Sequence, residues 1–215
     1  MNIVITGSIA YDYLMSFPGD FLDHVKPDRI QKLSLSFLVD DMVKRRGGCA
    51  PNIAYSLALL GERPVVMGTA GEDFAEYGEW LEAHGVDISA VKVVPHVFTA
   101  SFFATTDRNL NQIASFYTGA MAYARELSFR DLDIPVDLTI ISPNDPEAMD
   151  KYPEECRALG IPYIYDPSQQ VVRTSPECLR EGLIGADILV VNDYEYELLK
   201  DRTGFSDADI RQAVK

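Results

Sequence analysis

The residues of this sequence able to do chemistry sit where short apolar runs give way to polar ones. Asp12 ends the stretch Gly7-Ser8-Ile9-Ala10-Tyr11-Asp12, which follows the β-branched run at 2–6. In an open parallel sheet, ligands collect outside the carboxyl ends of the strands, so an aspartate there can accept hydrogen bonds from substrate hydroxyls. A solvated turn aspartate is the plainer alternative. In Gly47-Gly48-Cys49-Ala50-Pro51-Asn52, two glycines and an amide open a helix. No Cβ blocks a ligand there and backbone N–H groups point outward, although an ordinary loop-to-helix turn has the same composition. Asn192, Asp193 and Glu195 directly follow the apolar run 188–191. Oxygen ligands beside a phosphate suit Mg²⁺ through water, while an N-cap with first-turn acids is the structural alternative. Asp166-Pro167-Ser168, with Arg173 shortly after, reads as a turn, and Lys44-Arg45-Arg46 as solvated surface.

Positioning these groups requires a sheet. The run 2–6 predicts a buried strand, after which the chain loses its regularity; the stretch 18–46 reads as an excursion from the core, with Leu33, Leu35 and Phe37 alternating as in a half-covered strand. From there the pattern predicts helix 51–60, strand 64–69, helix 73–84 and strand 91–94. The segment 98–117 predicts an antiparallel hairpin. Phe98 and Phe102 share one face and Phe103 the other, with Phe116 and Tyr117 on the returning strand. Such rings are ordinary core packing, or a wall for a flat ligand. Strands at 138–141, 163–165 and 188–191 then alternate with helices at 147–159, 177–184 and 194–201, which implies an α/β fold with a parallel sheet covered on both faces. Ser206 caps a last helix whose apolar residues Ile210, Ala213 and Val214 run to Lys215 without a stop signal, as in a helix cut in its course.

Composition narrows the function. The chain has 215 residues, 47% hydrophobic and 24% charged, so it can bury a substantial core. A net charge of −14 argues against nucleic acid or an anionic membrane as partner. No apolar run approaches the ~18 residues of a membrane span and the start has no signal-peptide pattern, so the expected location is cytoplasmic. Cys49, Cys156 and Cys178 are scattered and odd in number, which speaks against a disulfide framework or structural zinc. A phosphate loop of the G-x-x-x-x-G-K-[ST] type, H-E-x-x-H and G-x-S-x-G are all missing from the sequence.

In order and spacing these pieces resemble the ribokinase-like family of sugar and nucleoside kinases, also called the phosphofructokinase B family. The resemblance rests on Gly47-Gly48-Cys49-Ala50-Pro51-Asn52-Ile53-Ala54, then Gly61, Gly71 and Asp73, on Asp12, and on Asn192-Asp193-Tyr194-Glu195 as the family's N-x-x-E motif. It implies a Rossmann-like core from 1–15, 47–97 and 119–215, and a small β lid from 16–46 and 98–118. It also implies transfer of the γ-phosphoryl of Mg·ATP to a sugar hydroxyl. Asp12, Gly47, Gly48 and Asn52 would hold the sugar, with Phe102 and Phe116 against it from the lid. Asn192 and Glu195 would organise ATP and Mg²⁺, Glu195 acting on the metal indirectly, through water. Cys49 stands where ribokinases usually carry lysine, and the hairpin around Asp107, Asn111, Phe116 and Gly119 resembles that of adenosine-kinase-like members, favouring a nucleoside, adenosine above others. A free-sugar kinase for ribose or fructose is the nearest alternative, and a non-catalytic nucleoside-binding or interaction module the alternative of another class. The family's G-A-G-D motif, which supplies the anion hole and the catalytic aspartate, has no counterpart here. The resemblance therefore implies that the chain corresponds to the N-terminal two-thirds of such a kinase, that the catalytic Asp lies beyond Lys215, and that residues 1–215 alone lack kinase activity. The assembly would be a monomer or a homodimer joined through lids.

Overall fold

The first apolar run becomes the centre of the molecule. In a computed structural model that describes residues 1–24 and 35–215, Ile3–Thr6 is a strand buried along its whole length. In chain order the described elements are β1 (Ile3–Thr6), β2 (Ala10–Ser16), α1 (Phe21–His24), β3 (Asp41–Gly47), α2 (Cys49–Leu59), β4 (Val65–Ala70), α3 (Ala75–Ala83) and β5 (Val91–Val93). They continue with β6 (Ala100–Thr106), β7 (Gln112–Tyr117), β8 (Leu138–Ile141), α4 (Pro146–Leu159), β9 (Tyr163–Tyr165), α5 (Pro176–Leu183), β10 (Ile188–Leu189), α6 (Asp193–Thr203) and α7 (Asp207–Ala213).

A six-stranded parallel sheet runs in the order β10-β9-β8-β1-β4-β5. Successive side chains of a strand point to opposite faces, and here that alternation sorts the core into two halves. Val4, Val65 and Met67 pack with Tyr152 of α4, Leu179 of α5 and Leu199 of α6 on one face. Ile3, Ile5 and Val66 pack with Ala50 and Ala54 of α2 and Leu81 of α3 on the other. Both faces are covered, which is why these strands read as continuous apolar runs.

The second sheet is four-stranded and mixed, in the order β3-β2-β6-β7. β2 pairs antiparallel with β3 and parallel with β6, and β6 turns back antiparallel into β7. Three sequence expectations change here. The lid begins at Ala10, not residue 16, because the chain leaves β1 and enters the second sheet within three residues, Gly7 to Ile9. Asp12 consequently lies inside a strand and not in a turn after one. The alternation that includes Leu35 and Phe37 forms no strand, Leu33 lying outside the described residues. Phe37 instead packs on Phe17 and Phe21, with ring centroids 4.9 and 4.8 Å apart.

The last helix also differs. α7 stops at Ala213, and Val214 is extended at φ −86°, ψ 133°. Gly185 N donates to Ala213 O at 2.9 Å and Lys215 N to Ala186 O at 2.8 Å, so backbone pairing with the loop after α5 draws the chain out of helical geometry. No helix among the described residues is long and apolar enough to cross a membrane.

Candidate functional site

A groove of about 560 Å³ opens between the lid and the carboxyl ends of the core strands. Its lid wall follows from register. Asp12 pairs with Phe102 across β2 and β6, and Phe102 with Phe116 across β6 and β7. Cross-strand partners project from the same face, so one carboxylate and two phenyl rings form a row over the cavity, and all three line it. The other rings of the hairpin do not join them. Phe103 stacks on Tyr13 at 4.8 Å and 9° on the opposite face, and Tyr117 shares that face by alternation. Phe98 precedes the strand and is exposed.

The core wall comes from Ser8, from Gly48, Cys49 and Asn52 at the start of α2, from Pro143 after β8, and from Gln169, Gln170 and Arg173 after β9. Gly48 holds φ at +92°, and a Cβ on it would come within 2.4 Å of Ser8 O, so only glycine lets the chain turn so closely into α2. The amides at this helix start are engaged within the protein. Cys49 N donates to Ser8 Oγ at 3.2 Å and Ala50 N to Ser8 O at 3.3 Å. From this helix start the groove is thus lined by Gly48, which has no side chain, and by Cys49 and Asn52.

Gly47 does not line the cavity. Its carbonyl accepts from Tyr77 Oη at 2.9 Å, and a Cβ on it would meet Asp12 Oδ2 at 2.4 Å. Its contribution is room for the Asp12 carboxylate. Burial raises the pKa of Asp12, and among the described residues no donor bonds to its carboxylate. A half-buried acceptor with its lone pairs unused suits a pair of vicinal hydroxyls.

Asn192 and Glu195 stand apart from the cavity lining and form a capping box on α6. Asn192 Oδ1 accepts from Glu195 N at 2.8 Å and Glu195 Oε2 accepts from Asn192 N at 3.0 Å. The other oxygen, Oε1, faces Ser168 Oγ at 3.4 Å. Burial, and next the negative charge of Glu195, push Asp166 up to about 6. Two carboxylates and a hydroxyl thus sit beside the turn that walls the groove, hard oxygen donors of the kind that hold Mg²⁺ through water. Among the described residues no group of three or more His, Cys, Asp or Glu side chains is placed to hold a metal ion directly.

Sequence reasoning missed Gln170. It is 5% exposed, and its Nε2 donates to Asn144 O at 2.8 Å. Glutamine carries no motif of its own. The signal available was the strand-end turn at Asp166-Pro167-Ser168, with Arg173, which places Gln169, Gln170 and Arg173 along the groove.

A family model for pfkB family carbohydrate kinases matches residues 15–215. A nucleoside kinase of Methanothermobacter thermautotrophicus is 29% identical over 204 residues, covering 91% of this chain and 61% of that protein. The structure of the Burkholderia thailandensis nucleoside kinase in complex with inosine is 38% identical with a TM-score of 0.83, over 99% of this chain and 67% of that one. The nucleoside kinase of Methanocaldococcus jannaschii, an archaeal member of the ribokinase family, is 25% identical with a TM-score of 0.85, over the whole of this chain and 68% of that one. The chain therefore spans about three fifths to two thirds of the length of these relatives. A parallel core sheet with a separate mixed sheet is matched over nearly all of the chain by the two solved kinases, and with the family match from residue 15 to 215 it follows that the chain belongs to the pfkB family of carbohydrate kinases.

Proposed function

We propose that the complete protein transfers the γ-phosphoryl of ATP to the 5′-hydroxyl of a ribonucleoside bound in the Asp12 groove. The observation that carries this is the row Asp12, Phe102, Phe116. A hydroxyl acceptor beside two rings suits a ribose joined to a flat base, and the volume suits a ligand of nucleoside size. Support comes from the 38% identical nucleoside kinase, whose structures hold inosine and ADP-inosine. The narrower reading of adenosine rests on the hairpin's resemblance, and the relative's inosine complex gives hypoxanthine equal standing.

In this reading Asp12 and Asn52 orient the ribose hydroxyls, and Phe102 and Phe116 exclude water from one face. The bond from O5′ to the γ-phosphorus forms as the bond to the β-bridging oxygen breaks, and the O5′ proton leaves to a base. No described residue of 1–215 is assigned to that proton. Asp166 and Glu195 are the groups that would hold Mg²⁺ through water, and the metal would neutralise charge on the phosphates.

The test is a coupled ADP-release assay on the complete protein with Mg·ATP and adenosine, inosine, ribose or fructose, alongside thermal shifts with each acceptor and alongside residues 1–215. Turnover and stabilisation by the nucleosides are expected. Preference for a free sugar would overturn the nucleoside assignment, and binding without turnover by the complete protein would favour a binding module.

A further inference from the structure

The groove is only as well formed as the angle at which the lid meets the core, and that angle has an identifiable anchor. Three lid strands are tied to the turn between β4 and α3 and to the first turns of α3. Immediately before β6, Thr99 donates twice to Asp73 Oδ1, through its N at 2.8 Å and its Oγ1 at 2.7 Å. The same hydroxyl accepts from Gly71 N at 2.9 Å. From β2, Tyr11 Oη donates to the backbone carbonyl of Asp73 at 3.1 Å. From β3, Gly47 O accepts from Tyr77 Oη, and Arg46 pairs with Glu76 at 2.8 Å. Thr99 is fully buried, and a Cβ at Gly71 would overlap the backbone of Phe98 and Thr99 at 2.2 Å, so the two segments meet with no slack.

We propose that Asp73 is a positioning residue for the nucleoside. Its carboxylate fixes Thr99, three residues before Phe102 on β6, and its carbonyl fixes Tyr11, the neighbour of Asp12 on β2. One residue of the core thereby sets the separation of the hydroxyl acceptor and the aromatic wall, although it touches neither the cavity nor the ligand. This rests on the nucleoside reading above, and it separates a loss of alignment from a loss of fold.

The experiment uses the complete protein and the variants Asp73→Ala, Asp73→Asn, Thr99→Val and Thr99→Ser. Asp73→Ala and Thr99→Val should raise KM for inosine or adenosine roughly tenfold through misplacement of Phe102 relative to Asp12, with KM for ATP little changed. Asp73→Asn, which keeps the Oδ1 acceptor, and Thr99→Ser, which keeps the hydroxyl, should retain most of the affinity. Amide hydrogen exchange of 100–106 in the absence of any ligand should quicken in the first two variants and not in the second two. An unchanged nucleoside KM in folded Asp73→Ala, or equal losses in all four variants, would overturn the proposal. If no nucleoside is a substrate of the wild type, the reading of function fails, while the exchange data still judge the anchor by themselves.

Discussion

A carboxylate set among aromatic rings works only while it is ionised, and Asp12 is held where ionisation is harder. Burial raises its pKa, so its affinity for hydroxyls should fall on acidification at a higher pH than for an ordinary aspartate. Asp12→Ala should weaken nucleoside binding at least tenfold, about 1.5–3 kcal/mol for a charge-assisted bond, and leave the thermal midpoint nearly unchanged. Calorimetric titration with melting curves checks this; a collapsed midpoint with full affinity in the folded fraction would assign Asp12 to structure. Asp166 offers a separate test through pH. Its pKa near 6 exceeds that of the unfolded chain, so its contribution to stability is complete below about pH 4 and is lost as pH rises through 6. Without divalent cations, Asp166→Asn should raise the midpoint at neutral pH by about 2–4 °C, or ~1 kcal/mol after discounting for its solvent-facing side, with the gap closing near pH 4. The sequence singles out Asp12 through a local picture that the structure changes, since Asp12 lies within β2 and lines the groove. Local pattern places Asp12 beyond a strand, because β2 becomes a strand only by pairing with distant partners.

The hairpin and the capping box show what pattern can and cannot deliver at the level of elements. Period-two alternation located β6 and β7 and put Phe102 on a face, but Phe98 lies before the strand, where alternation has no meaning. The core helices and strands were legible because continuous apolar runs, Pro51, Pro146 and Pro176 near helix starts, and Gly61 past an end are local signals. β2 was not, because its partners β3 and β6 lie about thirty and ninety residues away and only long-range pairing makes it a strand. The residues of Asn192-Asp193-Tyr194-Glu195 favour a cap over a ligand, and the geometry shows the cap with Oε1 of Glu195 still turned to Ser168. If the lid rings stack on a base, Phe102→Ala should raise KM for adenosine and inosine about tenfold or more and leave any weak activity on ribose unaltered. Equal losses for ribose and nucleoside would assign Phe102 to lid folding alone.

Across the whole molecule, stability is unevenly shared. The parallel sheet has two cores, one on each face, whereas the described residues of the second sheet contribute a small buried cluster, Ala10 and Ala100 with Met121, and an aromatic group of Phe17, Phe21 and Phe37 at its far end. The edge strand β7, exposed along its whole length, should accordingly exchange its amide hydrogens orders of magnitude faster than β1, and nucleoside should slow that exchange, as peptide-level mass spectrometry would show. The anchor on α3 has one more consequence. The chain holds a single tryptophan, and Trp80 stands at this junction, with the Arg46 guanidinium of β3 5.2 Å from its ring and His84 at 4.3 Å. Its emission is thus a built-in optical gauge of the lid. A rapid-mixing trace with nucleoside reads any shift at this contact without a label, and Arg46→Ala, which removes the described lid group over the indole, should leave that trace flat.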